Sequence, residues 1–412
     1  MGILRGNAVV GQSGGPTAAI NATLSGVIRG AKAAHTEGVI GTLYGMRNGI
    51  EGFLAENLID LTEAFEDDSL LTVLEQTPSA ALGSCRKKMK SPDVEPETYE
   101  KLLEIFKKYD IRYFFYIGGN DSMDTVSKLS QFAASHDYEM RVVGVPKTID
   151  NDLTHTDHTP GFGSAAKYVA TTIKEVLRDV SVYTLKAVTV VEVMGRDAGW
   201  LTASAVLPKI SGGKCPDLIY LPERTFDPDK FIADIVEIQK DHPAVLVAIS
   251  EGIKFADGRY VGEGFGARKV DAFGHVALSG AGKVLELLVK EKLGCKARSI
   301  ELNLPQRAAA HIASRTDITE SVEVAKCAVK AAIDGETGVM MTINRAEGDA
   351  YSTYYEPFDI SKIANEVRHV PDEYINAEGN GITDAGIEYL RPLIIGELDV
   401  IYEEGLPKHI VL

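Results

Sequence analysis

Short apolar, β-branched runs recur along the chain, each stopping abruptly at glycine or charged residues, with amphipathic stretches between them. Residues 7–10 lead into GQSGGPTAA, 112–117 into GGNDS, 141–145 into PKTIDND, 187–193 into MGRDAG and 244–249 into SEG. The runs show no clean period of two, as parallel strands do when helices cover both faces. Helical spacing follows the loops at residues 17–34, 122–135 and 164–178, and again at 319–334, which opens on Asp317/Thr319 and closes at Gly335. This alternation predicts an α/β fold with mostly parallel sheets. Ligands of such sheets lie beyond the carboxyl ends of the strands, and all five unusual clusters fall there. From Pro371 onward a glycine-rich turn, AEGNG, and an apolar run, YLRPLIIGEL, are expected to form an appended strand pair or a contact between subunits.

At 412 residues the chain has room for two or three packed units, because a single core rarely grows beyond about 250–300 residues. No repeat, heptad array or low-complexity linker marks a boundary, which points to two lobes that share a cleft and exchange chain segments. The balance of 43 Lys+Arg against 59 Asp+Glu leaves a formal charge of −16. Such a balance repels phosphate backbones and anionic lipid, so no nucleic-acid or membrane partner is expected. No apolar run approaches the roughly 18 residues of a membrane span, and the N-terminal MGILRGNAVV carries no export or acylation signal. Cys85, Cys215, Cys295 and Cys327 are dispersed, without a CxxC pair, and read as reduced thiols of a cytoplasmic protein. An anionic ligand would therefore need basic groups and backbone N–H donors gathered in one cleft.

A glycine pair between a strand and a helix lets an anion approach the backbone, where the helix start adds free N–H groups and about half a positive charge. Gly14–Gly15 and Gly118–Gly119 both meet that description. Two such pairs at equivalent strand ends favour phosphate binding over ordinary tight turns. Other glycine motifs fail. SGAGKV, ending at Val284, lacks the first glycine of a Walker A loop and has valine where Ser or Thr must hold Mg²⁺. GFGSAA, from Gly161, lacks the strand that a dinucleotide fingerprint follows. His155 and His158 have metal-like spacing but no third ligand nearby, so a solvated turn is expected. In PKTIDND, Asp150 and Asp152 can offer one carboxylate to a reacting hydroxyl and the other to a cation, while Lys147 and Thr148 serve phosphate oxygens. A solvated Asx turn would use the same letters, but the two glycine loops, MGR and SEG make phosphoryl transfer the stronger reading.

GQSGGPTAAINA, GGNDS, PKTIDND, MGR, SEG and QR, in that order and spacing, resemble the phosphofructokinase family, specifically its pyrophosphate-dependent branch. The likeness runs from Asn7 to about Asp334. It implies two Rossmann-like three-layer lobes with mostly parallel sheets and a shared active-site cleft. The donor lobe is expected to take residues 1–160 with about 308–370, and the acceptor lobe about 161–307 with 371–412. The implied reaction moves a phosphoryl group from Mg²⁺-pyrophosphate to the 1-hydroxyl of D-fructose 6-phosphate, reversibly, in a homodimer or homotetramer.

ATP-using members typically read GGDGS and PGTIDND, where this chain has Asp121 and Lys147. A carboxylate at position 121 fills the space of a nucleotide α-phosphate and repels it. Pyrophosphate brings no adenosine contacts, so charge close to the transferred group must make up the stabilisation. Lys147 is expected to supply it, paired to Asp121 when the site is empty. By resemblance Asp150 is the base for the 1-hydroxyl, with Thr148, Ile149 and Asp152 beside it. Met194, Gly195 and Arg196 match the acceptor loop, and Glu251 matches an acid that binds sugar hydroxyls. Arg307 matches a 6-phosphate ligand, and Arg298 an arginine that reaches across a subunit boundary. Gly14, Gly15, Arg86, Gly119 and Asn120 fall at donor positions.

Two positions depart from the family pattern. Asn120 replaces an aspartate associated with magnesium, and an amide oxygen binds a hard dication more weakly. The metal is then expected on Asn120 and Asp121 with help from water, Asp152 or the pyrophosphate. Leu304 stands where a histidine or tyrosine commonly lies near the sugar phosphate. The rival readings are an ATP-dependent kinase of the same fold and a non-catalytic subunit that binds sugar phosphate. A nicotinamide dehydrogenase would need a GxGxxG directly after a strand, which is missing.

Overall fold

A computed structural model describes residues 3–182, 184–263, 280–363 and 366–412. In chain order its strands are β1 (Gly6–Gln12), β2 (Ile40–Met46), β3 (Leu58–Asp60), β4 (Ile111–Gly118), β5 (Arg141–Pro146), β6 (Ala187–Val193), β7 (Leu218–Tyr220), β8 (Ala244–Ser250), β9 (Lys296–Glu301), β10 (Val339–Arg345), β11 (Thr353–Asp359), β12 (Tyr402–Glu403) and β13 (Leu406–Pro407). A seven-stranded sheet has the order β11-β10-β5-β4-β1-β2-β3, and a four-stranded sheet the order β7-β8-β6-β9. Only the outer pairs β10/β11 and β2/β3 of the first sheet are antiparallel; the second is parallel throughout.

Both faces of each sheet are covered, which explains the uninterrupted apolar runs. Along β4, Tyr113, Phe115 and Ile117 enter one core while Phe114 and Tyr116 enter the other, and each is at most 1% exposed. At roughly 1.5–3 kcal/mol for each large side chain fully buried, neither face of such a strand can be turned to water. Helices Ile20–Thr36 and Arg315–Asp334 cover one face; Pro96–Lys108 and Asn120–Ser135 cover the other. The first two helices approach closely because Gly26 and Gly30 lack side chains. A Cβ on Gly26 would come within 2.3 Å of the Val322 carbonyl oxygen. In the second sheet Val191 and Val193 pack against helix Phe162–Val180, while Val188 and Val190 pack against helix Ala281–Leu293.

The five expected strands are all present, most of them longer by a residue or two. The expected helices shift at their ends: Ile20–Thr36, Asn120–Ser135, Phe162–Val180 and Arg315–Asp334. The last starts early because the Ser314 hydroxyl, rather than Asp317 or Thr319, caps it, accepting from the Asp317 amide at 3.5 Å. Asp317 instead caps a different helix: its carboxylate accepts from the Gly161 and Ser164 amides, each at 2.9 Å.

The C-terminal segment departs from expectation. The run YLRPLIIGEL is not a strand; it begins in helix Asp384–Leu390 and the 3-10 turn Arg391–Ile394 and ends in coil, where Glu397 makes a single bridge to Ser314. Thr383 caps that helix, and Tyr389, Leu390 and Leu393 bury themselves in the core of the second lobe. The strand pair comes later, β12 with β13. It turns through Glu404 and Gly405 at φ 51° and 84°, the left-handed pair that a two-residue hairpin turn requires. Assigned as a whole to the acceptor lobe, residues 371–412 in fact divide: Ile410 and Leu412 pack on the core of the first lobe. Among the described residues no helix is long and apolar enough to cross a membrane.

The strand order reverses between β4 and β1 in the first sheet and around β6 in the second. Crevices open at the carboxyl ends of strands at such points.

Candidate active site

The turn after β1 is clamped between β4 and a loop. Ser13 donates its amide to the Ile117 carbonyl at 2.9 Å and Gly14 to that of Cys85 at 3.1 Å. The Ser84 hydroxyl donates to the Gly14 carbonyl at 2.7 Å. Gly14 has φ +78°, and a Cβ there would meet Lys147 Nζ at 3.3 Å; a Cβ on Gly15 would meet Arg307 Nη1 at 3.2 Å. The two missing side chains thus let two cations lie against the turn, one from each lobe. Lys147 Nζ donates to the Gly15 carbonyl at 2.7 Å. The side chain is 3% exposed; burial pushes its pKa down to about 8, opposed by Asp150 and Asp152 and assisted by Arg307 and Arg86.

Helix Asn120–Ser135 starts on the other side of this turn, directly after Gly119, and carries no side-chain cap. In its first turn Asp121 pairs with Lys88, at 2.9 Å. This corrects the expected Lys147–Asp121 pair. Lys147 leaves β5 beside Gly118, to which its amide is bonded, and its side chain turns toward β1. Asp121 instead faces the loop after Cys85. Asn120 turns its amide nitrogen to the Glu366 carbonyl at 2.7 Å. Arg86 is exposed on the same loop.

The loop after β5 alternates between anchor and site. Ile149 and Asn151 are buried, while Thr148, Asp150 and Asp152 are half-buried. Ile149 joins the core of the second lobe, so its side chain anchors the loop. Asn151, at φ 54°, donates to the Tyr389 hydroxyl at 3.0 Å and accepts from the Thr159 amide at 3.1 Å. The Arg368 amide holds the Asp152 carbonyl at 2.8 Å. The Thr148 hydroxyl accepts from the Asp150 amide at 3.1 Å and faces its carboxylate at 3.2 Å. Burial raises the pKa of Asp150. It carries Asp152 up to about 7, with repulsion from Asp150 adding to the effect.

Across the cleft, MGR, SEG and QR interlock. The Met194 amide donates to Gln306 Oε1 at 3.1 Å, the Gly195 amide to Glu251 Oε1 at 3.3 Å, and the Ser250 hydroxyl to the Gly195 carbonyl at 2.5 Å. Gly195 has φ +126°, and a Cβ on it would strike the Ala198 carbonyl. Arg196 Nε donates to Asp197 at 3.0 Å. Burial lifts Glu251 to about 7, with the charge on Asp150 contributing. Met194, Glu251, Asn303 and Gln306 help line a cavity of about 80 Å³.

A family model described as Phosphofructokinase matches residues 7–331. The chain belongs to the phosphofructokinase family. It is 43% identical over 408 residues to a pyrophosphate--fructose 6-phosphate 1-phosphotransferase of Methylococcus capsulatus, covering 98% of this chain and 96% of that protein. To the protein of the same name from Xanthomonas campestris pv. campestris it is 42% identical over 410 residues, covering 99% and 96%. In structure it is similar to a pyrophosphate-dependent phosphofructokinase from Nitrosospira multiformis, with TM-score 0.88 at 40% identity over 98% of this chain and 96% of that one.

The phosphofructokinase segment contains all six motifs that carry the family likeness, yet Arg368 and Tyr389, which brace the Asp150 loop, lie beyond it. Three further expected acceptor residues come from the same stretch, 298–307, as Gln306. Arg307 lies against the Gly15 turn, Leu304 is 53% exposed, and Arg298 is exposed on the edge strand β9, in register with Thr189. Lys88 and Gln306 are neighbours that sequence reasoning missed. Lys88 stands in the basic run that follows Cys85, which alone reads equally as a solvated turn, and Gln306 lies in the QR motif, where the arginine carries the family likeness.

The remaining motifs resolve structurally. Glu192 accepts from the Gly280 and Gly282 amides at 3.2 and 2.7 Å, filling the helix start at SGAGKV; Ser279 lies outside the described residues. Asp317 does the same for GFGSAA. His155 is exposed, but His158 is not in a solvated turn: it is 2% exposed, with Nδ1 2.8 Å from Asp157 and Nε2 2.6 Å from Glu320. Among the described residues no group of three or more His, Cys, Asp or Glu converges as a metal cage. The donor set instead fits Mg²⁺ as phosphoryl-transfer sites hold it, by one or two carboxylates with water and phosphate oxygens completing the shell. Asp121, Asp150 and Asp152 are the carboxylates at hand.

Proposed function

We propose that the chain transfers a phosphoryl group from pyrophosphate to the 1-hydroxyl of D-fructose 6-phosphate, giving fructose 1,6-bisphosphate and phosphate. The observation that carries this reading is Lys147, a buried ammonium bonded to Gly15 in the donor turn and three residues from Asp150. Pyrophosphate lies along the Gly14–Gly15 turn and the uncapped start of helix Asn120–Ser135, facing Lys147, Arg86 and Arg307. Asp121 occupies the space on the far side of the donor and disfavours a nucleotide.

Asp150, ionised, accepts the proton of the 1-hydroxyl as that oxygen bonds to phosphorus. The bridging P–O bond breaks and phosphate leaves with the electron pair; in reverse, Asp150 returns the proton. Its burial-raised pKa brings the base closer to neutral working pH. Lys147 offsets the charge that spreads over the phosphoryl oxygens. Mg²⁺, when bound with pyrophosphate, would be held by Asp121, Asp150 or Asp152, with Asn120 nearby, and would neutralise phosphate oxygens. Met194–Arg196 and Glu251 hold the sugar, with Thr148 and Asp152 beside the reacting hydroxyl. The exposed position of Arg298 supports a homo-oligomer in which it serves a neighbouring subunit.

Assay of the purified chain with pyrophosphate and ATP side by side tests this. Turnover with pyrophosphate is expected; turnover with ATP alone would make it an ATP-dependent kinase. Turnover with neither would make it a binding subunit.

A further inference from the structure

The loop from Gln76 to Cys85 carries the residues that clamp the donor turn, and buried side chains hold it from both sides. On the inner side Asn21 Nδ2 donates to the Thr77 carbonyl at 2.8 Å. Asn21 Oδ1 accepts from the Ala81 amide and from Gln12 Nε2, each at 2.9 Å. Gln12 Oε1 accepts from the Leu82 amide at 3.0 Å. Gln12 and Asn21 are fully buried. Two and three residues further on, Ser84 and Cys85 bond to Gly14.

On the outer side the same loop is held by the C-terminal segment. Gln76 Nε2 donates to the carbonyls of Ile401 and Lys408 at 2.9 and 2.8 Å, and Gln76 Oε1 accepts from the Ile401 amide at 2.9 Å. The Thr77 hydroxyl accepts from the Ile410 amide at 3.0 Å. Gln76 and Thr77 are each 5% exposed, so these bonds are shielded from water and their loss leaves buried groups unpaired.

We infer that residues 401–410 form a strap that positions the pyrophosphate turn, acting through Gln76, Thr77, Asn21 and Gln12 on Gly14. Gln76 and Thr77 are positioning residues, since neither touches the turn itself. The inference rests on the pyrophosphate reading of that turn.

Thr77→Val, Gln76→Met and deletion of residues 401–412 test it, with Thr77→Ser as the conservative control. Loss of a buried hydrogen bond is expected to raise the KM for pyrophosphate about three- to ten-fold, with kcat and the KM for fructose 6-phosphate within about two-fold of wild type. Thr77→Ser should restore wild-type values. Amide exchange over residues 80–88 should quicken in Thr77→Val and Gln76→Met but not in Thr77→Ser. An unchanged KM for pyrophosphate in the point variants, both KM values rising together, or unchanged exchange would overturn the strap. Wild-type protein idle with pyrophosphate would overturn the donor reading instead, and exchange would still report on the strap. Should the deletion variant fail to fold, the Thr77 pair decides.

Discussion

Lys88 Nζ lies 2.9 Å from Asp121 Oδ1, tying the loop after Cys85 to the first turn of helix Asn120–Ser135. The hydrogen bond to Asp121 raises the pKa of Lys88, so the pair is an ion pair at neutral pH. The two lysines of the donor site thus divide the work. On the proposed reading, Lys88 neutralises the carboxylate that would exclude a nucleotide, and Lys147 stays on the Gly15 carbonyl, where a phosphoryl group would pass.

That division predicts a pattern of coupling. Lys88→Met should raise the KM for pyrophosphate in wild type, because an uncompensated Asp121 then repels the donor. In an Asp121→Asn background the same change should do almost nothing. Lys147→Met should cut kcat about 100- to 1,000-fold, as loss of a preorganised donor does in a dry site, in either background. ATP use should emerge only where Asp121 has become glycine. Steady-state kinetics of the single and double variants check this; equal losses from Lys88→Met in both backgrounds would break the pairing argument.

On the proposed reading, Lys147 should also give the reaction a basic limb. Burial lowers its pKa to about 8, so the ammonium is present below that pH and is lost as pH rises through it. kcat/KM for pyrophosphate should fall about ten-fold per pH unit above the limb. Lys147→Arg keeps the charge at all accessible pH and should abolish the limb whatever its absolute rate. A basic limb unchanged in Lys147→Arg would assign the titration to another group.

On the same reading, the acidic limb should belong to Asp150 and Asp152 together. Burial, with repulsion from Asp150 adding to it, holds Asp152 up at about 7, so the protons leave in two steps owned by the pair. Asp152→Asn removes the step near 7 and leaves the ionisation of Asp150 alone. The acidic limb of kcat/KM for fructose 6-phosphate should therefore move downward in pH. An upward move, or none, would separate the two carboxylates.

Strand ends and motifs were legible because burial on both faces of β1, β4, β5, β6 and β8 leaves long apolar runs that stop where the backbone must meet a ligand. β9 and β11 were not, because each is an edge strand with one mostly wet face: KARSIE carries Arg298, and TYYEPFD carries Glu356 and Pro357, in mid-strand, whereas β5 keeps Arg141 and Pro146 to its ends. Asp150, Glu251 and the glycine turns could be read from local spacing. Lys88 with Asp121, and Gln306 with Met194, join segments brought together only by the sheet order. Asp317 shows the reverse error: its letters suit a cap for its own helix, but the fold gives it the Gly161 amide across the lobe boundary. Nothing local distinguishes a cap made at home from one made at a distance.

His158 predicts a pH dependence of stability that is separate from catalysis. Its ring is buried between Asp157 and Glu320. Desolvation opposes its charge, but those two carboxylates outweigh it and hold the pKa up at about 9, against 6.5 for a free histidine. A raised pKa stabilises the fold fully below 6.5, and that stabilisation is lost as pH rises through 9; the shift corresponds to roughly 3 kcal/mol. His158→Gln removes the titrating group and leaves Glu320 buried with a weaker partner, so the variant should be less stable than wild type at low pH. The gap between them should narrow by roughly that amount as pH rises. Urea unfolding of both proteins below pH 6.5 and above pH 9 measures it. A gap that stays constant across that range would mean that Asp157 and Glu320 do not stabilise the charged ring in the native state.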